Sequence, residues 1–372
     1  MKDSPLRIAV VGAGFWAGLQ VQAWMEIAGK ENIELHGIYN RTRAKAKDFK
    51  ERYGFSEVYD DFESLLGSKN IDVVDIVTST PSHYDFVTRA IEHGVPVIVQ
   101  KPMASTLREA RRMAAAAEKS GVQLIVHENY RWWPQIRRVK EIIDGGDLGT
   151  FRDVTVQWKS GGMDYYRAQP YFRDQERFLI GEVGVHLIDV ARFIAGSDVS
   201  SVYAQSQRFN SGIRGEDFAR LMLTMETGAT ASVELGVETL LENERPPEVF
   251  ITAFCTNGTI ELGPDYRIAL TTKSPEGRET RIQHISIPEY TWAGAYGVGV
   301  SCMVQANAYY AACIKNKKEA ETSGADNINT LAATLGAYLS VQRGEAIDIT
   351  DTDTLEADLD DARIGYPVFP PD

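Results

Sequence analysis

Short apolar runs alternate with segments of helical period along the first third of the chain. The runs are rich in β-branched side chains and lack polar alternation, which is typical of strands buried on both faces of a sheet. They are LRIAVV at 6–11, IELHGIY at 33–39, DVVDIV at 72–77, VPVIVQ at 95–100 and VQLIVH at 122–127. Strand and helix alternating at this spacing predict right-handed βαβ units and a doubly wound parallel sheet.

The segments between these strands predict helices over 42–53, 82–93 and 105–120. Each segment opens on a Ser or Thr, residue types that cap helix N-termini. Gly94 and Gly121 closely follow the last two segments, as glycine does at helix C-termini. We therefore expect helices that begin and end at these residues.

The pattern changes after Pro134. One more helix is predicted over 135–143, and the segments that follow it mostly alternate polar with apolar residues, which is typical of an antiparallel sheet with one wet or partner-covered face. The predicted strands are 151–159, 199–208, 217–226, 229–237, 249–254, 258–262, 266–272 and 280–287. Helices are expected near 184–195, 298–315 and 325–342, and the acidic run 351–363 is expected to be solvated.

The fold expected from these patterns has two domains, one α/β and one α+β. Residues 1–130 would form a Rossmann domain with a doubly wound parallel sheet, and residues 131–372 an α+β domain with a mainly antiparallel open sheet. A chain of 372 residues exceeds the size at which one hydrophobic core usually keeps growing. Length and pattern therefore agree on two domains.

Charge and cysteine content exclude several classes of protein. The chain has 39 Lys and Arg against 52 Asp and Glu, and the net charge of −13 disfavours nucleic acid and anionic membrane surfaces as partners. Its three cysteines, Cys255, Cys302 and Cys313, have no C-x-x-C spacing, so neither a disulfide framework nor a zinc cluster is expected. No secretory signal or membrane span is evident in the sequence. We expect a soluble cytoplasmic protein.

A glycine-rich loop follows the first predicted strand. Gly12 permits a tight turn, Gly14 lets the backbone approach a pyrophosphate, and Ala17 is small enough for a helix to pack on the strand. The N-terminus of that helix supplies N–H groups to an anion. The loop predicts dinucleotide binding, with a merely tight turn as the alternative.

The end of the second strand bears on which dinucleotide is bound. An NAD-specific site would carry an acid there for the ribose 2′-hydroxyl, whereas this chain has the neutral Asn40 followed by Arg41. Arg41, with Arg43 nearby, can neutralise a 2′-phosphate, so the sequence favours NADP. Alternatively, both arginines are only solvated residues at the start of the next helix.

Three segments carry candidate catalytic chemistry. Lys101 lies at the carboxyl end of the fourth strand, where open parallel sheets bind their ligands. Glu182 and His186 are four residues apart, so on a helix the carboxylate can orient the imidazole. Residues 126–134 gather polar and aromatic side chains suited to a polyhydroxylated ligand. Glu182, His186 and Asp189 are also metal-ligand types, but we expect no metal.

Taken together, these motifs resemble those of the Gfo/Idh/MocA family, named after glucose-fructose oxidoreductase and inositol dehydrogenase. The resemblance spans nearly the whole chain. The motifs that carry it, in chain order, are the glycine loop, Thr78-x-Thr80-Pro81, Gln100-Lys101-Pro102, Glu128-Asn129-x-Arg131 and Gly184-Val-His186-x-x-Asp189.

The resemblance implies a dehydrogenase with NAD or NADP bound in the Rossmann domain and a sugar or cyclitol placed between the domains. It implies that Lys101 polarises the reacting oxygen and that His186 exchanges its proton, with Glu182 as the third catalytic residue. Two residues depart from the family pattern: Gln100 stands where Glu is usual, and Glu182 where many members have Asp. The first departure removes a negative charge beside Lys101.

The same resemblance gives the full set of expected site residues. The cofactor would contact Gly12, Gly14, Phe15, Trp16, Asn40, Arg41, Thr78, Thr80, Pro81, His83, Gln100, Lys101 and Asn129. The substrate would contact Glu128, Arg131, Trp158, Tyr171, Phe172, Arg173 and His186. The wording of several motifs is also similar to that of family members that oxidise aldoses such as D-apiose at the anomeric carbon, which would make the product a lactone.

Two other functions stay open at this point, along with the oligomeric state. One is redox-assisted lysis or glycoside cleavage, in which the cofactor is reduced and reoxidised within one turnover. The other is a cofactor-binding regulatory protein without turnover, which only Gln100 encourages. The resemblance and the large one-sided sheet imply homo-oligomers that pair through the C-terminal sheet.

Overall fold

The computed structural model describes residues 4–161, 166, 169–237, 239 and 248–364. These residues form two compact units. The first contains the described residues up to Glu128 together with Met303–Ile328, and the second contains those in Asn129–Cys302 and those from Asn329 onward. No helix within the described ranges combines the length and the apolar character that crossing a membrane requires.

The first unit is built on a parallel six-stranded sheet with the strand order β3-β2-β1-β4-β5-β6. All five strand pairings are parallel, which confirms the predicted doubly wound sheet. The strands are β1 (Leu6–Val11), β2 (Ile33–Tyr39), β3 (Glu57–Val58), β4 (Val73–Ile76), β5 (Val97–Gln100) and β6 (Leu124–His127). The sequence pattern missed only β3, which has two residues and therefore shows no period.

Helices α1 to α5 connect these strands. They are α1 (Phe15–Glu31), α2 (Arg43–Tyr53), α3 (Phe62–Leu66), α4 (His83–Glu92) and α5 (Leu107–Ser120). The predicted start of α5 at Ser105 is one residue early, because the side chain of Thr106 accepts the capping hydrogen bond from the Glu109 amide. Gly121 ends this helix in the left-handed conformation, as predicted.

Residues 303–328 complete the first unit, although the sequence placed them in a continuous second domain. The amide of Val126 in the edge strand β6 donates to the Thr322 carbonyl at 2.8 Å, and Ile125 forms a bridge with Ser323. The side chain of Gln123 donates to the Lys318 carbonyl at 2.7 Å. The segment 303–328, distant in sequence, therefore covers the edge of the sheet at β6, where the strand would otherwise have unpaired backbone groups.

The second unit is built on a nine-stranded sheet with the order β14-β13-β12-β11-β7-β10-β9-β8-β15. Every pairing is antiparallel except that of β7 with β10, so the mainly antiparallel sheet is confirmed. The strands are β7 (Phe151–Lys159), β8 (Val199–Gln207), β9 (Phe218–Met225), β10 (Thr230–Gly236), β11 (Glu248–Cys255), β12 (Gly258–Leu262), β13 (Arg267–Ser274), β14 (Gly277–His284) and β15 (Ile347–Asp348).

Three details of the second unit differ from the sequence prediction. The strand β15 was not predicted, because its two residues show no period. The strand expected at 280–287 is β14, which starts and ends three residues earlier, because Gly277 pairs with Ser274 across a tight turn. The acidic run expected to be only solvated contains the helix Thr352–Asp361, which Asp351 caps and which buries Leu359. Capping and one apolar anchor are enough to order a largely charged segment.

Further helices follow along the chain, and one of them carries the candidate residue His186. They are α6 (Pro134–Asp144), α7 (Val185–Ala195), α8 (Ser301–Asn316), α9 (Gly324–Arg343) and α10 (Thr352–Asp361). A single turn of π-helix, Ile180–Gly184, leads directly into α7. Alternate residues of the central strands are buried, including Val156, Leu223 and Val233, and α7 packs against β7 and β10.

Candidate active site

The glycine loop after β1 has the geometry of a dinucleotide-binding turn. Gly12 has φ +115°, and a Cβ there would lie 2.2 Å from the Val77 carbonyl oxygen, so only glycine fits. Gly14 is different, because a Cβ at this residue would meet nothing within 4 Å. The fold itself therefore does not require glycine at 14, and the open space in front of its backbone suits a close ligand.

The start of α1 suits an anion. Gly14 is the N-cap residue and makes no side-chain capping bond, and the first turn carries no acidic residue. The amides of the first turn are therefore available to a negatively charged group, whose charge the helix dipole also stabilises. Phe15 in this turn is 40% exposed. These residues fit the pyrophosphate of a dinucleotide.

The end of β2 is tied to the glycine loop. Asn40 accepts a hydrogen bond from the Ala13 amide through Oδ1 at 3.1 Å and donates to the Thr42 carbonyl at 3.0 Å. Arg41 is exposed, whereas Arg43 forms an ion pair with Asp60 at 2.7 Å. Arg43 is thus engaged by Asp60, and Arg41 is the better candidate of the two for a 2′-phosphate.

His83 ties together the carboxyl ends of β4 and β5. Its buried ring lies 3.0 Å from the Pro102 carbonyl through Nδ1 and 3.1 Å from the Thr78 carbonyl through Nε2. Both contacts are hydrogen bonds only when both ring nitrogens carry a proton. Through Pro102, the imidazole holds the turn that contains the half-buried Lys101.

A second structure at the same strand ends is a turn of 3₁₀ helix over Thr80–Ser82. The Ser82 hydroxyl donates to the Thr78 hydroxyl oxygen at 2.8 Å, and Thr80 is buried. The predicted cofactor residues Thr78, Thr80 and Pro81 therefore form one compact corner after β4.

Gln100, beside Lys101, belongs to a buried polar chain that sequence reasoning missed. Its side-chain nitrogen donates to Gln20 Oε1 at 3.0 Å, and Gln20 Nε2 donates to Asp75 Oδ2 at 3.0 Å. The indole nitrogen of Trp24 donates to the same carboxylate oxygen at 2.7 Å. Burial raises the pKa of Asp75 to about 6. The signal in the sequence is an acid inside the otherwise apolar strand VVDIV.

In the second unit, His186 lies under an aromatic ring. It is 4% exposed and stacks on Tyr130, with ring centroids 3.9 Å apart and planes within 1° of parallel. Tyr130 in turn stacks on Trp133 at 4.6 Å. This packing fixes the plane of the imidazole, which a proton-transfer group requires.

Glu182 lies in the π-turn before α7 rather than in regular α-helix. Its Oε1 accepts a hydrogen bond from the fully buried Gln175 at 2.9 Å. The extra residue per turn changes the i,i+4 relation between Glu182 and His186 that the sequence predicted. That Glu182 orients His186 stays a prediction.

The π-turn is held by a buried carboxylate that sequence reasoning also missed. Glu216 accepts hydrogen bonds from the amides of Phe178 at 3.2 Å and Ile180 at 2.9 Å. The Tyr338 hydroxyl donates to Glu216 at 2.8 Å and accepts from the Gly181 amide at 2.8 Å. Burial raises the pKa of Glu216. Because π-turns often occur at functional sites, Glu216 and Tyr338 are candidate supports for the segment that carries Glu182.

Arg131 forms a bidentate ion pair with Asp189 of α7. Arg131 Nε and Nη2 lie 2.7 and 2.5 Å from the two carboxylate oxygens, and both side chains are buried. The Thr330 hydroxyl also donates to Asp189, at 3.1 Å. Asp189 thus acts as a helix anchor, and Arg131, predicted as a substrate ligand, is held by it. The described residues contain no cluster of three or more metal-ligating His, Cys, Asp or Glu side chains.

The other predicted substrate residues of the second unit divide by exposure. Trp158 on β7 and Phe172 are buried, and Phe172 packs against Phe178 with centroids 5.0 Å apart. Tyr171, 42% exposed, and Arg173 lie on the surface of the unit. Burial places two of the four aromatic and basic side chains in core-like surroundings.

The neighbouring residues 127–129 are all buried. Glu128, predicted to bind substrate, belongs to the first unit, whereas the predicted cofactor residue Asn129 begins the second. Asn129 Oδ1 is buried and accepts no hydrogen bond from the described residues. An unsatisfied buried acceptor of this kind is compatible with a ligand or ordered water.

His127 at the end of β6 has no catalytic assignment but makes a testable contribution to stability. It is fully buried, with Nε2 2.8 Å from Asn307 Oδ1 and its ring edge-on to Tyr310 at 5.4 Å. Burial disfavours the charged imidazole and lowers its pKa from 6.5 to about 4. The neutral ring is therefore the native form.

We expect the free energy of unfolding to fall as the pH drops from about 6.5 towards 4, by about 3 kcal/mol from His127 alone. The sign follows because, as the pH falls, His127 is protonated in the unfolded chain before it is protonated in the folded protein. The stabilisation is therefore complete above the pKa of the unfolded state and is lost as the pH falls towards the pKa of the folded state. Urea unfolding across this range should show the loss in wild type and a reduced loss in His127→Gln. The exposed His284 provides a control, His284→Gln, which should keep the wild-type slope.

Comparison with known proteins identifies both parts of the chain. The profile of an oxidoreductase family with an NAD-binding Rossmann fold (GFO_IDH_MocA) matches residues 6–128. The profile of the GFO/IDH/MocA C-terminal domain matches residues 136–261. The two matches follow each other along the chain, in the order of the two sheets.

Individual relatives cover most of the chain. It is 35% identical to a D-apiose dehydrogenase of Paraburkholderia graminis over 92% of this chain and 89% of that protein. It is also 35% identical to a D-apiose dehydrogenase of Rhizobium rhizogenes over 94% of this chain and 99% of that protein. Among solved structures, an oxidoreductase of Agrobacterium radiobacter in complex with NAD⁺, L-tartaric acid and magnesium is 33% identical, with a TM-score of 0.84 over 94% of this chain and 100% of that chain.

Proposed function

The chain belongs to the Gfo/Idh/MocA family of NAD-binding oxidoreductases, and from this premise we propose that it is a sugar dehydrogenase that oxidises an aldose such as D-apiose at the anomeric carbon to a lactone. The observation that carries the proposal is 35% identity to a D-apiose dehydrogenase over 94% of this chain and 99% of that relative. The geometry of the glycine loop and of the α1 N-terminus supports the dinucleotide part.

The proposed reaction gives defined tasks to this chain's residues. Lys101 donates a hydrogen bond to the reacting oxygen and stabilises the negative charge that develops there. His186 accepts the hydroxyl proton as a general base, and Glu182 favours its charged form. NAD(P) would supply the acceptor for the hydride that leaves the carbon. Gly12, Gly14 and the first turn of α1 would hold its pyrophosphate.

The proposal is tested with a panel of aldoses, ketoses and cyclitols, each offered with NAD⁺ and with NADP⁺. We expect the near-ultraviolet absorbance of reduced cofactor to rise with D-apiose or a related aldose, and a lactone or its hydrolysed acid to form in equal amount. Product release without that rise would contradict the dehydrogenase proposal and indicate redox-assisted lysis. Cofactor binding without turnover of any sugar would indicate a regulatory protein.

For the cofactor we propose a preference for NADP that rests on Arg41. Asn40 is neutral and turned towards Ala13, so no carboxylate of this residue opposes a 2′-phosphate, and the exposed Arg41 can pair with it. Arg41→Ala is expected to weaken NADP binding by about 10- to 100-fold while leaving NAD binding nearly unchanged. Calorimetric titration with both cofactors measures this. An NAD preference of about tenfold or more in wild type would contradict the proposal.

We also propose that two copies of the chain associate through the open face of the second sheet. Met222 on β9 and Phe254 on β11 point to the same face by register and are 67% and 45% exposed. Exposed apolar side chains on a sheet face are typical of subunit contacts. Met222→Asp should lower the mass found by sedimentation velocity, whereas Met25→Asp, 44% exposed on α1, should not. A wild-type monomer would contradict this proposal.

A further inference from the structure

The buried chain from Trp24 to Gln100 has a direction. Each glutamine carries a donor and an acceptor on one amide group, so two linked glutamines can in principle be arranged in either sense. Here Gln100 Nε2 donates to Gln20 Oε1, and Gln20 Nε2 donates to Asp75. The question is what fixes this sense rather than the reverse.

Asp75 and Trp24 fix it by their chemistry. An indole nitrogen can only donate, so Asp75 Oδ2, which lies 2.7 Å from it, must accept. The same oxygen accepts from Gln20, which therefore presents its nitrogen to Asp75 and its oxygen to Gln100. This sense holds while Asp75 is ionised, because a carboxylate only accepts hydrogen bonds.

The direction of these hydrogen bonds decides which atom of the Gln100 amide can face a ligand. Its nitrogen is used on Gln20, so its oxygen occupies the other arm of the amide. Gln20 and Asp75 are fully buried, whereas Gln100 is 5% exposed and is the last residue of β5, directly before Lys101. Gln100 itself therefore lies at the carboxyl end of the sheet, where open α/β sheets bind their ligands.

We propose that Trp24, Asp75 and Gln20 are positioning residues that orient the Gln100 amide so that its oxygen accepts a hydrogen bond from the carboxamide N–H of the nicotinamide ring. The inference rests on the proposed NAD(P)-dependent function. It assigns to Gln100 an acceptor role that needs no negative charge. It also assigns a role to Asp75, which lies in a core strand and is not one of the residues proposed to transfer protons.

The test uses a cofactor analogue that lacks the donor. In 3-acetylpyridine adenine dinucleotide a methyl group replaces the carboxamide NH₂, and the rest of the molecule is retained. We expect wild type to bind NAD⁺, which carries the carboxamide, about three- to tenfold more tightly than the analogue. This is the difference that one hydrogen bond allows. Gln20→Met keeps the side-chain length but cannot relay, so this ratio should fall towards one. Gln100→Leu should have the same effect.

Variants at Asp75 separate orientation from charge. Asp75→Asn still offers an oxygen to Trp24 and Gln20 and should keep the wild-type binding ratio. Asp75→Leu offers none, so its ratio should fall towards one, and circular dichroism checks that it is folded. Gln20→Met carries the test if Asp75→Leu does not fold.

Three results would overturn the inference: equal binding of the two dinucleotides by wild type, a wild-type ratio in Gln20→Met, or a lost ratio in Asp75→Asn. Wild type that binds neither dinucleotide would instead contradict the proposed function. Calorimetric dissociation constants give all these readouts without reference to turnover, so the two failures are distinguishable.

Discussion

His186→Ala is expected to lower kcat by roughly 10²- to 10⁴-fold, the range over which a positioned proton-transfer group acts. The imidazole is 4% exposed and stacks parallel to Tyr130. A water molecule in the space left by the substitution would not be held in position as the ring is, so it would be a poor replacement for the general base. Cofactor affinity should stay nearly unchanged, because the substitution leaves the glycine loop and the first turn of α1 intact. Lys101→Ala should produce a loss of similar size by removing the group that stabilises the developing charge.

Initial rates at saturating sugar and cofactor, measured across pH, check these two substitutions. A general base should leave a titration step in the wild-type profile of kcat that disappears in His186→Ala. His93→Ala is the matched control, because that histidine is 37% exposed and its Nδ1 contacts the Arg89 carbonyl. Near-normal kcat in His186→Ala at every pH would contradict the proposed role.

Asp189→Ala is expected to destabilise the protein by about 3–5 kcal/mol, the usual result of removing one partner of a buried ion pair. The substitution leaves the Arg131 guanidinium buried without its carboxylate, and it removes the acceptor for the Thr330 hydroxyl. The pair links α7 to the segment before α6, so the loss should also loosen the helix that carries His186. Urea unfolding at neutral pH measures the free-energy change.

The half-exposed pair of Arg7 with Asp72 supplies the control. Its side chains are 29% and 36% exposed, so Asp72→Ala should cost far less than Asp189→Ala, although it also removes an acceptor for the Arg7 amide. Arg131→Met combined with Asp189→Leu removes both charges and should recover much of the stability lost by Asp189→Ala alone. Equal losses for Asp72→Ala and Asp189→Ala would contradict the importance assigned to burial.

The parts of the fold that local patterns specify were predictable. The apolar runs of the first unit became β1, β2, β4, β5 and β6, because a strand covered on both faces needs no partner information to be recognised. The glycine loop was equally readable, since Gly12 is required by a single close contact and one backbone angle. Sequence identity of short motifs then led to the family, which the comparisons confirm.

The parts that depend on distant partners were not predictable. Asp75 looks like a strand residue until Gln20 and Trp24 are placed beside it, 55 and 51 residues away. Glu216 has no local signal, because its amide partners are more than 30 residues earlier in the chain. The π-turn has none either, since the spacing of Glu182 and His186 fits an ordinary helix.

The contact of Thr322 with Val126 has a consequence for how the protein is made. The first unit lacks residues 303–328 until the whole of segment 129–302 has been synthesised. Until then β6 is an open strand edge on an apolar sheet, which is the kind of surface on which nascent chains associate wrongly. The first unit therefore cannot complete its fold before this segment of the second unit has been synthesised. A nascent chain halted before residue 303 should bind chaperones more than the full-length chain does.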